Sequence, residues 1–176
     1  MKIRTQLLIL FAAIILCSFG IEEKKSNEAI HWMSMKEALA KNEKQPKKIF
    51  IDMYTSWCGW CKKMDAATFT DSKIAEYMNA HYYAVKFDAE TKDTIVYKDK
   101  PYTFVPEYKS NELAARLLNG QMSYPTAVYM DEKNNPITAV PGYLSPNDLL
   151  PILVFFAEDH YKTEKWEEFR SAFDKK

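Results

Sequence analysis

The chain has too few cysteines to be held together by them. There are three in 176 residues, at positions 17, 58 and 61, whereas disulfide scaffolds use several bridges between distant segments. Histidine is equally sparse. His31, His81 and His160 are scattered, so a Cys pair finds no second half with which to complete a four-ligand zinc site. An excess of basic charge is also missing. The 24 Lys and Arg balance the 24 Asp and Glu, which removes the electrostatic footprint of a nucleic-acid binder, and no block of like charge marks a disordered tail. No apolar run reaches the roughly 18–20 residues of an ordinary membrane-spanning helix. Internal repeats and low-complexity stretches are absent. What remains, 47% hydrophobic and 27% charged, is the composition of one globular domain.

The N-terminus reads as a targeting segment. Lys2 and Arg4 precede the apolar run Leu7 to Leu16, and Ser18 and Gly20 are small residues placed for cleavage after Gly20. Residues 1–20 are therefore expected to be a signal peptide and 21–29, polar and charged, a linker. The expected location is outside the cytoplasm, in a bacterial periplasm. An uncleaved N-terminal anchor is the alternative. A lipid on Cys17 is disfavoured by bulky Leu16 where such signals want a small residue. Cleavage removes Cys17 and leaves Cys58 and Cys61. A bridge between them closes a very short loop and staples almost nothing, so its use is to be made and broken.

Along residues 30–176, Ile30 to Trp32 reads as a short strand, and Ser34 with Glu37 forms a capping box that opens a helix. Lys48 to Tyr54 is a buried strand whose single internal charge is Asp52. An interrupted helical pattern runs from Cys58 to about Asn79. His81 to Asp88 is the next strand, and residues 95–105 suggest a hairpin turning near Lys98 to Lys100. Ser110 is positioned to cap a short helix ending before Gly120. Pro125 to Met130 and Ile137 to Val140 pair as strands across a charged turn. Ser145-Pro146 opens an apolar helix, in which Pro151 either bends the helix or marks its true start. Thr163 begins a last helix carrying Trp166, Phe169 and Phe173. Strand, helix, strand, then hairpin and helix argue for a mixed α/β sheet with helices on both faces.

Cys58-Gly59-Trp60-Cys61 follows a strand and opens a helix. Residues three apart share a helix face, so both sulfurs meet at the first turn. The helix N-terminus carries partial positive charge and unpaired N–H groups, and Lys62 and Lys63 add exposed charge that solvent screens. Cys58 is therefore expected to be the exposed, low-pKa nucleophile. Cys61, one turn in, is expected to be more buried and to resolve the mixed disulfide. On chemistry alone, copper handling by two thiolates and an idle buried pair stay open.

Trp57-Cys58-Gly59-Trp60-Cys61-Lys62 resembles the active site of the thioredoxin superfamily, and most closely that of exported thioredoxin-like proteins with a Cys-Gly-Trp-Cys centre. The resemblance runs from about Ile30 to His160. Asp52, six residues before Cys58, matches the family's buried carboxylate, and Lys86 matches the lysine often beside it. Tyr124-Pro125-Thr126 matches the cis-proline loop, and Gly142 the glycine near the last strand. The resemblance implies a thioredoxin-like fold with an insertion at about 89–119, and thiol–disulfide exchange on exported protein disulfides. It implies Cys58, Cys61, Asp52 and Lys86 as catalytic, and Trp57, Gly59, Trp60, Tyr124 and Pro125 as substrate-binding. Protein thiols and disulfides are the implied partners, with a membrane electron donor. No metal and no cofactor is implied.

Each match has a physical counterpart. A carboxylate in an apolar strand has a raised pKa and can take a proton from Cys61, unless Asp52 sits on a solvent-facing side. Lys86 either moderates Asp52 or is simply exposed. Pro125 is either a strand-start proline or a cis residue exposing the Tyr124 backbone to an added peptide strand. Trp60, where thioredoxin has proline, keeps a backbone N–H near Cys58 that favours a more oxidising pair. Asp52 and Lys86 lean the reading toward a reductase. The other class of reading is a thioredoxin-fold binding or chaperone module without catalysis. In the insertion, Tyr97, Tyr102, Phe104 and Tyr108 either line a partner surface or pack it onto the sheet.

Overall fold

A computed structural model of the chain describes residues 28–175. The expected signal segment, Cys17 and most of the expected linker lie outside the described residues. The strands are β1 (Trp32–Met33), β2 (Lys48–Tyr54), β3 (Tyr82–Asp88), β4 (Ile95–Tyr97), β5 (Lys100–Tyr102), β6 (Phe104–Val105), β7 (Ser110–Asn111), β8 (Thr126–Met130) and β9 (Pro136–Pro141). The helices are α1 (Met35–Lys44), α2 (Gly59–Ala67), α3 (Ser72–His81), α4 (Glu112–Leu117), α5 (Pro146–Ala157) and α6 (Trp166–Phe173). The central sheet has the order β1-β3-β2-β8-β9. β2 is parallel to β3, β3 to β1, and β8 runs antiparallel to both β2 and β9. This is a thioredoxin-like α/β fold with a mixed sheet between two helical layers.

Strand alternation decides which side chain meets which layer. In β2, Phe50 packs with Met64 of α2, Ile74 and Met78 of α3, and Leu149 and Leu153 of α5. Ile49, Ile51 and Met53 point the other way, onto Ala38 of α1 and Leu113, Ala114 and Leu117 of α4. Both faces are covered, so every residue of β2 from Lys48 to Met53 is buried, as expected of a strand sandwiched between helices. Asp52 shares the parity of Phe50 and therefore faces the layer that contains α2. Its neighbour in β8 is Ala127, also on that face.

Local chemistry sets most boundaries, and several differ from the sequence expectation. The Ser34–Glu37 capping box is present in both directions. The long helical pattern after Cys58 is two helices, because Asp71 accepts from the Lys73 and Ile74 N–H groups and starts α3 afresh. The first strand is Trp32–Met33 rather than Ile30 to Trp32; Ile30 is buried ahead of it. Asn111, not Ser110, caps α4, since its side chain accepts from Leu113 N–H while Ser110 pairs with Val105. Pro146 occupies the first turn of α5 and Pro151 lies inside the helix, which continues to Ala157. The last helix starts at Trp166, because Thr163 closes a short 3-10 turn over His160–Lys162.

Asp52 is not the only buried charge of β2. Lys48 is buried as well, its ammonium 2.6 Å from Glu132 and 2.7 Å from Asp159. Two acids at the sheet's far end thus offset its desolvation.

Residues 89–119 hold β4 to β7 and α4. Lys98 and Asp99 both take positive φ, 50° and 59°, the backbone that a two-residue hairpin requires. Tyr97 and Tyr102 are buried in the second core, Phe104 is half-buried and Tyr108 is exposed. The first two therefore pack the segment onto the sheet. Asn111 stitches it further, donating to the Asp93 carbonyl at 3.1 Å.

Candidate active site

β2 and β3 both end, β8 begins and β9 ends at one edge of the sheet, as the register requires: Tyr54 pairs with Asp88, Met53 with Thr126 and Thr126 with Pro141. The Cys loop leaves β2 at that edge. Cys58 is the N-cap of α2 in extended backbone, and its sulfur accepts from the Cys61 N–H at 3.0 Å. The two cysteines are disulfide-bonded, with Cα atoms 5.3 Å apart. A sulfur held at the N-terminus of a nine-residue helix lies where a developing thiolate is favoured.

The expected exposure of Cys58 is not found in this oxidised form. Cys58 is 4% exposed and Cys61 3%, because Cys58 Sγ is folded back onto the helix start and bonded to Cys61. The exposed groups are instead the flanking Trp57 and Trp60. A Cβ at Gly59 would meet no atom within 4 Å, so the surface beside the disulfide is open.

The Tyr124–Pro125 bond is cis. Trp57 meets Tyr124 edge to face, with ring centroids 6.0 Å apart, and its indole N–H donates to Glu90 at 2.9 Å. Burial pushes the Tyr124 phenol up to about 12, and Glu90 and Asp88 push the same way, so it is a neutral hydroxyl. Gly142 N–H donates to the Pro125 carbonyl at 2.8 Å, with φ at +100°. The glycine near the last strand is thereby tied directly to the cis-proline loop.

Beneath α2, Asp52 and Lys86 are register partners of β2 and β3. The Lys86 ammonium lies 2.6 Å from Asp52 and also pairs with Asp65 of α2. The rings of Trp32, Tyr54 and Phe69 surround it at 5.0–5.1 Å, an arrangement that favours a cation. Burial raises the Asp52 pKa more than Lys86 lowers it. Burial depresses the Lys86 pKa, but Asp52 and then Asp65 more than offset this and leave it raised. The alternatives of a solvent-facing Asp52 and a free Lys86 are both removed. The Asp52 carboxylate is bonded to Lys86 and not to a sulfur.

Four neighbours escaped the sequence reading as site residues. Asp65 carried a signal, since it is four residues after Cys61 and on the same helix face. Glu90 and Tyr143 carried none, because they reach the site only through the turns after β3 and β9, and Lys63 is legible in sequence as local charge beside the cysteines but not as a partner of Trp60 and Tyr143. Among the described residues, no group of three or more His, Cys, Asp or Glu side chains is arranged to hold a metal ion. No described helix is long and apolar enough to cross a membrane.

Comparison with known proteins places this architecture. Residues 21–175 match the family "Thioredox_DsbH: Protein of unknown function, DUF255". The chain belongs to the Thioredox_DsbH family. It is 28% identical over 131 residues to the uncharacterized protein B0495.5 of Caenorhabditis elegans, covering 74% of this chain and 16% of that protein. It is 34% identical over 70 residues to rat (Rattus norvegicus) spermatogenesis-associated protein 20, covering 39% of this chain and 8% of that protein. The chain thus spans a small fraction of these longer relatives. Among solved structures it is similar to a DsbH oxidoreductase, with TM-score 0.55, 19% identity, and coverage of 74% and 86% of the two chains. It is also similar to a Bacteroides thetaiotaomicron protein described as a candidate disulphide-isomerase, with TM-score 0.53, 25% identity, and coverage of 78% and 95%. The thioredoxin-like fold, the Thioredox_DsbH family and the Cys58–Cys61 pair together indicate thiol–disulfide redox chemistry.

Proposed function

We propose that this Thioredox_DsbH protein is an exported oxidoreductase that reduces disulfides of other exported proteins through Cys58 and Cys61. The observation that carries the reading is the Cys58–Cys61 bond at the N-terminus of α2, beside a cis-Pro125 loop and flanked by exposed tryptophans. The 25% identical candidate disulphide-isomerase supports disulfide handling. Export rests on the apolar run of residues 7–16 and the small residues after it.

In the reduced protein the Cys58 thiolate attacks one sulfur of a partner disulfide. A Cys58–partner bond forms, the partner's bond breaks, and its other sulfur leaves as a thiolate that takes up a proton. Cys61 then loses its proton and attacks Cys58 Sγ. The Cys58–Cys61 bond forms and the partner's second sulfur leaves and is protonated. The partner gains two electrons and two protons; the Cys pair supplies both electrons and the Cys61 proton, and solvent supplies the second proton. A membrane-bound dithiol donor restores the pair. The α2 N-terminus favours the thiolate form of Cys58. Asp52, with its raised proton affinity, takes the Cys61 proton directly or through water, and Lys86 and Asp65 set how readily it does so. Trp57, Gly59, Trp60 and cis-Pro125 form the surface a partner meets, and the Tyr124 backbone pairs with an extended partner strand.

Insulin reduction by wild type and by Cys58→Ser tests the reading, with the reduction potential of the pair measured alongside. Turnover lost in Cys58→Ser and a potential near the thioredoxin value of about −270 mV support a reductase. A potential near about −120 mV makes the protein an oxidant instead. No turnover by reduced wild type leaves a binding or chaperone module.

A further inference from the structure

Two aromatic pairs bracket the disulfide, and they carry opposite charge. Trp57, just before Cys58, packs on Tyr124 and binds the Glu90 carboxylate through its indole N–H. Trp60, just before Cys61, packs on Tyr143 at 5.5 Å, and the Lys63 ammonium lies 4.6 Å from the Trp60 ring centroid and 5.2 Å from that of Tyr143. Sheet order places these groups apart. Glu90 follows β3, the Cys loop follows β2, and Tyr143 follows β9, while the order across the sheet is β3-β2-β8-β9. The carboxylate and the ammonium therefore stand on opposite sides of the Cys loop, at the same edge of the sheet.

Neither charge is cancelled by an ion pair. Among the described residues Lys63 and Glu90 appear in no salt bridge. Trp57 and Trp60 are 65% and 57% exposed, a large amount of indole surface to leave in water beside a reactive bond. An aromatic face is sequence-tolerant, but an ammonium on one side and a carboxylate on the other are not.

We infer that this site reads the charge polarity of the polypeptide it exchanges disulfides with. It prefers an extended segment carrying a carboxylate on the Trp60–Lys63 side of its cysteine, a cation on the Trp57–Glu90 side, and apolar side chains against the two indoles. The inference rests on the proposed oxidoreductase activity and names its substrate class. Lys63 and Glu90 act as specificity residues and take no part in electron transfer.

The test uses two peptide disulfides of identical composition, Glu and Lys exchanged across the cysteine, so that net charge and long-range steering are the same. The ratio of their kcat/KM values with the reduced protein is measured at low ionic strength. Wild type discriminates between them by about fivefold or more, the scale on which an exposed ion pair differs from a like-charge juxtaposition, and the preference shrinks in high salt. The double reversal Lys63→Glu with Glu90→Lys inverts the ratio, and Lys63→Gln alone moves it toward one. Because each ratio is taken within one variant, any change in thiol reactivity cancels. A wild-type ratio of one, or a ratio unchanged by the double reversal in an active protein, overturns the polarity reading alone. Failure of wild type to reduce either peptide, or hydroxyethyl disulfide, overturns the oxidoreductase reading and the inference with it.

Discussion

Replacing Asp52 by Asn asks whether burial or Lys86 dominates at the base of α2. The two opposing effects are both large. Burying a carboxylate costs several kcal/mol after relaxation. Asp52 is 2% exposed, so it bears nearly all of that. The compensating partner, Lys86, is a quarter exposed and shared with Asp65, so the attraction is partly screened and divided. Burial therefore wins, and the Asp52 pKa is raised. The sign of the pH dependence follows. Below the unfolded value of 3.8 both states hold the proton and the group contributes nothing. As pH rises above it, the unfolded chain ionises first and is favoured, by about 1.4 kcal/mol for each unit that separates the two pKa values. The penalty levels off once pH passes the folded value.

The asparagine side chain keeps the shape and removes the charge, while Lys86 keeps Asp65 and its three rings. Guanidinium unfolding of the oxidised protein should show Asp52→Asn equal to wild type near pH 4. It should be more stable by about 1–3 kcal/mol near pH 8, the cost range of an imperfectly compensated buried polar group. The converse variant, Lys86→Met, leaves Asp52 without its partner and should cost about 2–4 kcal/mol near pH 8, somewhat less than breaking a fully buried pair. An Asp52→Asn protein that is less stable than wild type near pH 8, with the deficit vanishing in acid, would mean that Lys86 overcomes burial. That result would refute the reasoning and remove Asp52 as a proton acceptor.

Three further outcomes are expected. Cys61→Ser should accumulate mixed disulfides through Cys58 and Cys58→Ser should not, as seen on non-reducing gels; equal trapping by both would reverse or dissolve the division of roles. Gly142→Ala should lose about 1–3 kcal/mol in urea, because φ of +100° strains any side chain even though the space beside it is open. An unchanged midpoint would show that the backbone relaxes without cost. Asn111→Ala removes both the α4 cap and the bond to Asp93 and should cost about 1–3 kcal/mol. It should speed proteolysis within residues 89–119, and a cleavage pattern identical to wild type would count against that anchoring.

The strands and the redox motif were legible in the sequence because their signals are local. Apolar runs of strand length, a capping box at Ser34 and two cysteines one helical turn apart need only neighbouring residues to state their meaning. The cis-proline and the Asp52–Lys86 pairing were legible through resemblance, since nothing local in Tyr-Pro-Thr separates a cis bond from a strand-start proline. What tertiary structure decided is everything that depends on two covered faces. Period-two alternation assigns Asp52 to one side of β2, but only the packing of α2, α3 and α5 against that side makes it a buried side rather than a wet one. Likewise Lys48 reads as a strand-end charge until Glu132 and Asp159, more than 80 residues away in the chain, close over it. Cys58 reads as exposed until its sulfur turns back onto the helix and bonds to Cys61. Glu90 and Tyr143 have no meaning in sequence at all, and Lys63 reads there only as exposed charge near the cysteines. They are brought around the disulfide because β2, β3 and β9 end at one edge of one sheet, where a folded chain gathers residues that no spacing rule connects.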